Sequence, residues 1–502
     1  MSGIDTEAPA REDRDLMHQR ATPYLDALRA YAAAEPHLLN VPGHHGAAGA
    51  DPVLLETFGR AVFDLDLPPL MSGVDAGLSP NPLERAEALA AETWGARRTW
   101  FLTNGASQGN VTACLVGAML GGKILAQRNM HSSLLGGVVL AGLTPSFVFP
   151  TIDQRLGVAH VVGASAVEEA LEQTPGVGLV FIVSPTYFGA VADVAAIAAV
   201  CHRAGVPLVV DEAWGGHFGQ HPRMPASALS CGADIVVSST HKLVGSLTQS
   251  AMIHLGGGEH AVPLEELIER ALPLVESTSA SSILKGSLDG ARRRFAVHGR
   301  ELLATAASVA DAVREQVDGL ERYSVADRDF TELPGVIAND PLRIVVDVSR
   351  SGRSGLEIGA LLRTRYQLEL EVFTHNAVVA IIGPSDADAT TGERLVRALD
   401  ELAVPSAVAP IDVGTSALYG GPSRITPTQA LSAPAELVDA ESVDGRISSD
   451  TLAAYPPGIP NVIAGEELTG GVVEFLRSVA AEGGYVRGAA DPTLGRLRVV
   501  AV

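Results

Sequence analysis

Cysteine is nearly missing from this chain. Its 502 residues contain three, Cys114, Cys201 and Cys231, all in apolar surroundings and without metal-ligand spacing, so they read as buried thiols of a reducing compartment and not as a disulfide framework. Positive charge is also scarce: 36 Lys and Arg stand against 58 Asp and Glu, a formal net charge of -22. That balance disfavours nucleic acid and anionic membrane surfaces as partners, favours solubility and would suit a cationic substrate. Long hydrophobic runs are lacking as well. The apolar stretches 113–122 and 136–143 are too short and too broken by glycine to span a bilayer. The start of the chain, with Asp5, Glu7, Glu12 and Asp13, has no secretory pattern. A cytoplasmic protein without membrane contact is expected.

What is present belongs to a folded enzyme-sized protein: 47% of residues are hydrophobic and 19% charged, and the length calls for at least two well-buried domains. Helical spacing over 18–34 predicts an N-terminal helix, and a Pro/Gly-rich loop follows at 68–82. Strand-like runs at 99–102, 123–126, 146–149, 178–183, 207–210, 235–237 and 250–254 alternate with helices such as 83–94, 194–204 and 264–271. This alternation describes an α/β protein with a largely parallel sheet covered on both faces. A long helix over 283–320 then leads to an α+β pattern. It comprises strands at 342–348, 369–371 and 378–382, helices at 356–366 and 392–402, a connector at 404–415 and a final helix from 469. The expected domains are an N-terminal helical arm (1–65), a large cofactor-binding domain (66–339) and a smaller α+β C-terminal domain (340–502).

In sheets of this kind ligands bind beyond the strand ends. Asn104, Ser184, Asp211 and Lys242 all fall there, which points to one shared site. The pair Asp211 and Lys242 is chemically specific. A lysine that loses its proton to condense with an aldehyde, and a carboxylate that keeps a pyridine nitrogen protonated, are what pyridoxal phosphate requires. The small-residue turn 103–110 opens a helix whose N–H groups suit a phosphate, with the Ser107 hydroxyl beside them. His131 either stacks on a planar ring or caps its helix. The adjacent His44 and His45 have no acidic or cysteine partner close in sequence, and no metal is assigned.

The motifs Val41-Pro42-Gly43-His44, Asn104-Gly105-Ala106-Ser107, Arg128-Asn129-Met130-His131 and Ser184-Pro185-Thr186-Tyr187-Phe188-Gly189 occur in order. They are followed by Asp211-Glu212-Ala213-Trp214-Gly215, Ser239-Thr240-His241-Lys242 and the run 455–460. With them the chain, over about residues 16 to 490, resembles the bacterial ornithine/lysine/arginine decarboxylases in their short form. The resemblance implies the aspartate-aminotransferase fold, which is the fold type I of pyridoxal phosphate enzymes, with a seven-stranded, mostly parallel sheet. It implies Lys242 as the residue that carries pyridoxal 5′-phosphate, Asp211 on its ring nitrogen and His131 on its face. Ala106, Ser107, Ser239 and His241 are placed around the phosphate, and Thr186, Ala213, Trp214 and His217 nearby. A homodimer or higher homo-oligomer is implied too.

The chain departs from the family's usual pattern at His45, at Ser132-Ser133, in the tyrosine-free segment 277–282 and around Arg424. All of these bear on the substrate. Decarboxylation of arginine, lysine or ornithine is the expected reaction, with Lys242 or His241 returning the proton to Cα. Glu371, Glu466 and Glu467 are candidates for the distal cation and Arg446 for the carboxylate. The rivals are another pyridoxal phosphate outcome (transamination, oxidation or elimination) and a catalytically silent regulatory or assembly homologue.

Overall fold

The computed structural model describes residues 17–385, 390–405, 419–455, 458–481 and 483–501. The expected N-terminal fraying (1–16), residues 406–415 of the connector and Pro456-Pro457 lie outside them. The central sheet has seven strands: β1 (Arg98–Leu102), β2 (Lys123–Gln127), β3 (Thr144–Val148), β4 (Leu179–Val183), β5 (Leu208–Asp211), β6 (Ile235–Ser238) and β7 (Ala251–Leu255). Their order is β1-β7-β6-β5-β4-β2-β3, and β7 alone runs against the rest.

Two hydrophobic cores cover the two faces of this sheet. Along β4, Leu179, Phe181 and Val183 enter one core while Val180 and Ile182 enter the other. Both faces are dry, so the strand reads as an unbroken apolar run instead of an alternating one. The helix Gly105–Met119 lies close against β6. A Cβ on Gly109 would stand 2.6 Å from Val237 Cγ1, so only glycine allows that approach.

The long helix Ser282–Asp318 forms as its periodicity predicts. Beyond it Ser324–Val325, Arg343–Asp347, Ala377–Ile381 and Val372–Phe373 build an antiparallel four-stranded sheet. A third core lies between this sheet, the long helix and the N-terminal helices, and a fourth belongs to the last part of the chain, from Ala440 to Val499.

Three expectations are corrected. The helix at 18–34 is broken, because Pro23 occupies the first turn of Pro23–Ala33 and separates it from the 3-10 turn His18–Arg20. Asp289 of the long helix caps its start by accepting from the Tyr24 and Leu25 N–H groups at 3.0 and 3.2 Å. The strand expected at 369–371 begins instead at Val372, although Glu371 N–H already donates to the Val379 carbonyl at 3.2 Å. The chain does not end on the helix Gly470–Ala481: strands Tyr485–Arg487 and Arg496–Val500 follow it. They are short and half exposed, and Gly483 and Gly488 interrupt the pattern with φ of 91° and 88°, which hides their period of two.

Candidate active site

The register of the sheet brings the ends of β1, β2, β4, β5 and β6 to one edge. Asp211 pairs with Val183 on one side and Val237 on the other. Lys242 stands on the single helical turn Thr240–Leu243 just past β6. The Asp211 carboxylate is buried and held from two sides, by Asn110 Nδ2 at 2.9 Å and by the Ala213 N–H at 3.0 Å. The chain has three lysines. Lys123 donates to the Pro175 carbonyl and Lys285 pairs with Glu276. Lys242 has no hydrogen-bond or ion-pair partner among the described residues, and its Nζ lies 3.6 Å from the centre of the Trp214 ring. Burial pulls its pKa down to about 8; Asp211 and Glu371 oppose the shift and Arg343 adds to it.

His131 does one of the two things its sequence position allows. It caps the helix Ser132–Leu140, its Nδ1 accepting the Ser133 N–H at 3.2 Å. It also feels the charges of Asp211 and Lys242, while burial lowers its pKa. His241 Nδ1 donates to the Ser250 carbonyl at 2.8 Å, which leaves Nε2 without the proton in the neutral ring, and burial lowers this pKa too. The helix that begins at Gly105 has no side-chain cap. Asn104 Oδ1 instead accepts from Gln249 Nε2, and the Gly105 N–H donates to the Gln249 carbonyl at 2.7 Å, which leaves the N–H groups of Ala106 and exposed Ser107 open.

Arg343 was not singled out in the sequence. It is fully buried; its Nη1 donates to the carbonyls of Thr186 and Tyr187 at 2.8 and 2.6 Å, and its guanidinium carbon lies 4.1 Å from the Trp214 ring centre. Its Nε is 3.4 Å from Asp340 Oδ2, yet Nε and Nη2 make no hydrogen bond. Burial lowers its pKa to about 10. Asp340 takes a second partner, His217 Nε2, at 3.0 Å. Burial disfavours the Asp340 charge, but His217 and Arg343 together hold its pKa below the usual carboxylate value. The signal that could have found Arg343 is the Asp340-Pro341-Leu342-Arg343 step into a buried strand, where a cation needs a reason to be.

The remaining expected residues fall into two groups. Thr186 is buried, but its hydroxyl accepts from the Ala190 N–H, and its link to the site runs through its carbonyl and Arg343. Buried Ser239 precedes the turn that carries Lys242, and Ala106 stands in the uncapped first turn. Glu371 acts electrostatically on Lys242, His241 and Arg343. Glu466, Glu467 and Arg446 are engaged elsewhere. Glu466 gives both oxygens to Arg128 at 3.1 and 2.8 Å, Glu467 pairs with Arg424 at 2.7 Å, and Arg446 pairs with Glu436 at 2.7 Å.

Residues 22–331 match the Orn/Lys/Arg decarboxylase major domain, and residues 424–487 match the Orn/Lys/Arg decarboxylase C-terminal domain. The chain belongs to the Orn/Lys/Arg decarboxylase family. It is 32% identical to an arginine decarboxylase of Halalkalibacterium halodurans, with 97% of this chain and 99% of that protein covered. It is 31% identical to the arginine decarboxylase of Bacillus subtilis, covering 96% and 99%. Lysine decarboxylase A from Pseudomonas aeruginosa has the same fold, with a TM-score of 0.81 at 20% identity over 98% of this chain and 82% of that one. The fold is therefore type I of the pyridoxal phosphate enzymes.

Family and fold imply pyridoxal phosphate, and the residues here fit it. Trp214 Nε1 and Asn110 Oδ1, each on a residue that touches Lys242 or Asp211, are buried without a hydrogen-bond partner. An unpaired lysine, a fixed carboxylate and an uncapped helix start are the donor set the cofactor needs.

Proposed function

We propose that the chain is a pyridoxal 5′-phosphate-dependent decarboxylase that converts a basic L-amino acid, arginine first among them, to its amine and carbon dioxide. The observation that carries this reading is Lys242: half-buried, unpaired, lowered in pKa and in the field of Asp211. Arginine is favoured because the relatives similar along their whole length bear that name. When bound, the cofactor supplies an aldehyde for the amine and a protonated ring that accepts the electron pair left behind by carbon dioxide.

The chain's own groups have distinct tasks in this account. Lys242 offers a neutral amine near neutral pH in a fraction that an ordinary lysine cannot reach. Asp211, steadied by Asn110 and Ala213, holds the proton on the ring nitrogen. With the cofactor bound, His131 would support the ring face, and the N–H groups of Ala106 and Ser107 with Ser239 and His241 would hold the phosphate. Arg343, whose Nε and Nη2 make no hydrogen bond, takes the substrate carboxylate, and Glu371 takes the distal guanidinium. Trp214 packs over both cations and keeps water from them. His241 holds its ring proton on Nδ1 toward Ser250, so Lys242 Nζ is the better donor to Cα.

The assembly proposed is a homodimer. Leu39, Val41, Leu70 and Leu78 are 98%, 71%, 82% and 94% exposed in one stretch of chain, more apolar surface than a monomer there would leave to water. Light scattering should return twice 52.0 kDa, and a monomer would contradict this.

The reaction is tested by incubating purified enzyme and cofactor with arginine, lysine and ornithine and identifying products by mass spectrometry. The expected product is an amine, with arginine turned over fastest. A keto acid would move the reading to transamination or oxidation. No turnover together with no cofactor uptake would leave the silent homologue.

A further inference from the structure

The edge of the sheet opposite Lys242, where β5 and β6 begin, carries a second set of chemical groups. His202 lies in the last turn of the helix Val194–Arg203, Asp234 immediately precedes β6, and His260 precedes the helix Ala261–Val275. One ring nitrogen from each histidine and one carboxylate oxygen lie within 4.8 Å of one another. His202 Nε2 is 2.9 Å from Asp234 Oδ2, and the two imidazole centres are 5.6 Å apart.

A hydrogen bond between His202 and Asp234 accounts for two members of this trio. It does not account for His260, whose Nε2 is buried and has no hydrogen-bond partner. Nor does it need a third ligand-bearing side chain from a separate helix to converge on the same carboxylate. Asp234 itself is 3% exposed and has no arginine or lysine partner; its Oδ2 accepts from His202 and from the Leu208 N–H at 2.8 Å, and Oδ1 faces Gly258. A carboxylate this buried, flanked by two imidazoles, has no permanently charged partner among the described residues.

We propose that His202, Asp234 and His260 form a zinc site. Two imidazoles and one carboxylate are a ligand set of intermediate softness that suits Zn²⁺. A tetrahedral ion with bonds of about 2.0–2.2 Å brings its ligand atoms to roughly 3.3 Å apart. The His202 and Asp234 atoms already stand that close, so a side-chain rotation that moves the His260 nitrogen by up to about 1.5 Å closes the set. The fourth position goes to water or to exposed Glu259, whose Oε1 is 3.7 Å from His260 Nε2. The ion joins the end of one helix, the root of β6 and the start of another helix, so its work is to hold the large domain together. The inference does not depend on the proposed reaction, because the site lies at the other end of the strands.

The test uses the full-length, tag-free protein with its cofactor, stripped of metal by a chelator and titrated with zinc chloride by calorimetry. Zinc content and the thermal midpoint are read in parallel. The expected result is one zinc per chain and a higher midpoint, with binding weakened at least about tenfold in each of His202→Ala and His260→Ala. His44→Ala, outside the trio, should bind like the parent. Replacing His202 leaves the Leu208 bond to Asp234 intact, and His260 makes no hydrogen bond to lose, so both variants should fold. Co²⁺ in place of zinc should give the visible bands of a tetrahedral ion in the parent and lose them in both variants. Failure to bind zinc, or unchanged binding in the two variants, would overturn the proposal.

Discussion

Of the fully buried arginines, Arg128 and Arg343 have surroundings that differ in one respect. Every nitrogen of Arg128 has a partner: Glu466 at Nε and Nη2, the Pro460 carbonyl at Nη1 and the Asn461 carbonyl at Nη2, with Tyr419 4.8 Å from its guanidinium carbon. Arg343 has two nitrogens, Nε and Nη2, without a hydrogen bond, and Nε stands only 3.4 Å from Asp340 Oδ2. The first arrangement is closed and can only hold the last part of the chain against the sheet. The second leaves donors open beside the lysine, which is a cost the fold bears only if something else completes them.

The largest effect expected from testing this contrast is on stability at Arg128. Arg128→Ala leaves Glu466 buried and unpaired, and chemical denaturation should report a loss of about 3–5 kcal/mol. A loss under about 1 kcal/mol would mean that the pair is dispensable. Arg343→Gln should do the reverse, lowering kcat/KM for arginine by roughly 10²–10³ with a smaller change in unfolding midpoint. Equal stability losses in the two variants would erase the distinction between them.

A second comparison sets Asp340, held charged by His217 and Arg343, against Glu212, which is buried with the Ala228 N–H as its hydrogen-bond donor. Burial raises the Glu212 pKa to about 8. A raised carboxyl pKa means that the folded state binds the extra proton, so its contribution is complete below about pH 4.5 and fades as pH rises through about 8. Glu212→Gln should flatten that decline, by on the order of a few kcal/mol between pH 5 and 9; parallel pH profiles for parent and variant would show that Glu212 does not titrate there. The smallest effect concerns Lys242. With its pKa lowered to about 8, its ammonium loses the proton as pH rises through that value. Cofactor uptake by the stripped enzyme should therefore speed up about tenfold per pH unit below 8 and level off above it. A plateau that begins only near 10 would show an ordinary lysine.

The contrast also marks what a sequence reveals. Asn104, Ser184, Asp211 and Lys242 could be found because each follows an unbroken apolar strand, and parallel strands with both faces buried bring such positions to one edge whatever their separation in the chain. His131 could be narrowed to capping or stacking, since both depend on where its helix starts. Arg343 was missed, because its carbonyl partners Thr186 and Tyr187 lie 157 and 156 residues away and its one local signal is a cation at the start of a buried strand. Glu466 was expected beside a substrate because a glutamate after a proline turn is free in sequence. Its partner Arg128 is 338 residues distant. The zinc trio was illegible for the same reason: each ligand comes from a different element, so no spacing announces it.

In the proposed reaction Lys242 holds the cofactor on which arginine would lose its carboxylate. Arginine labelled with ¹³C in the carboxyl carbon, given to the enzyme with pyridoxal phosphate, should yield labelled carbon dioxide and the amine in equal amounts. Lys242→Ala should yield neither and should lose the visible absorption of bound cofactor. Label retained in a keto acid, or carbon dioxide released at the parent's rate by the Lys242→Ala protein, would contradict it.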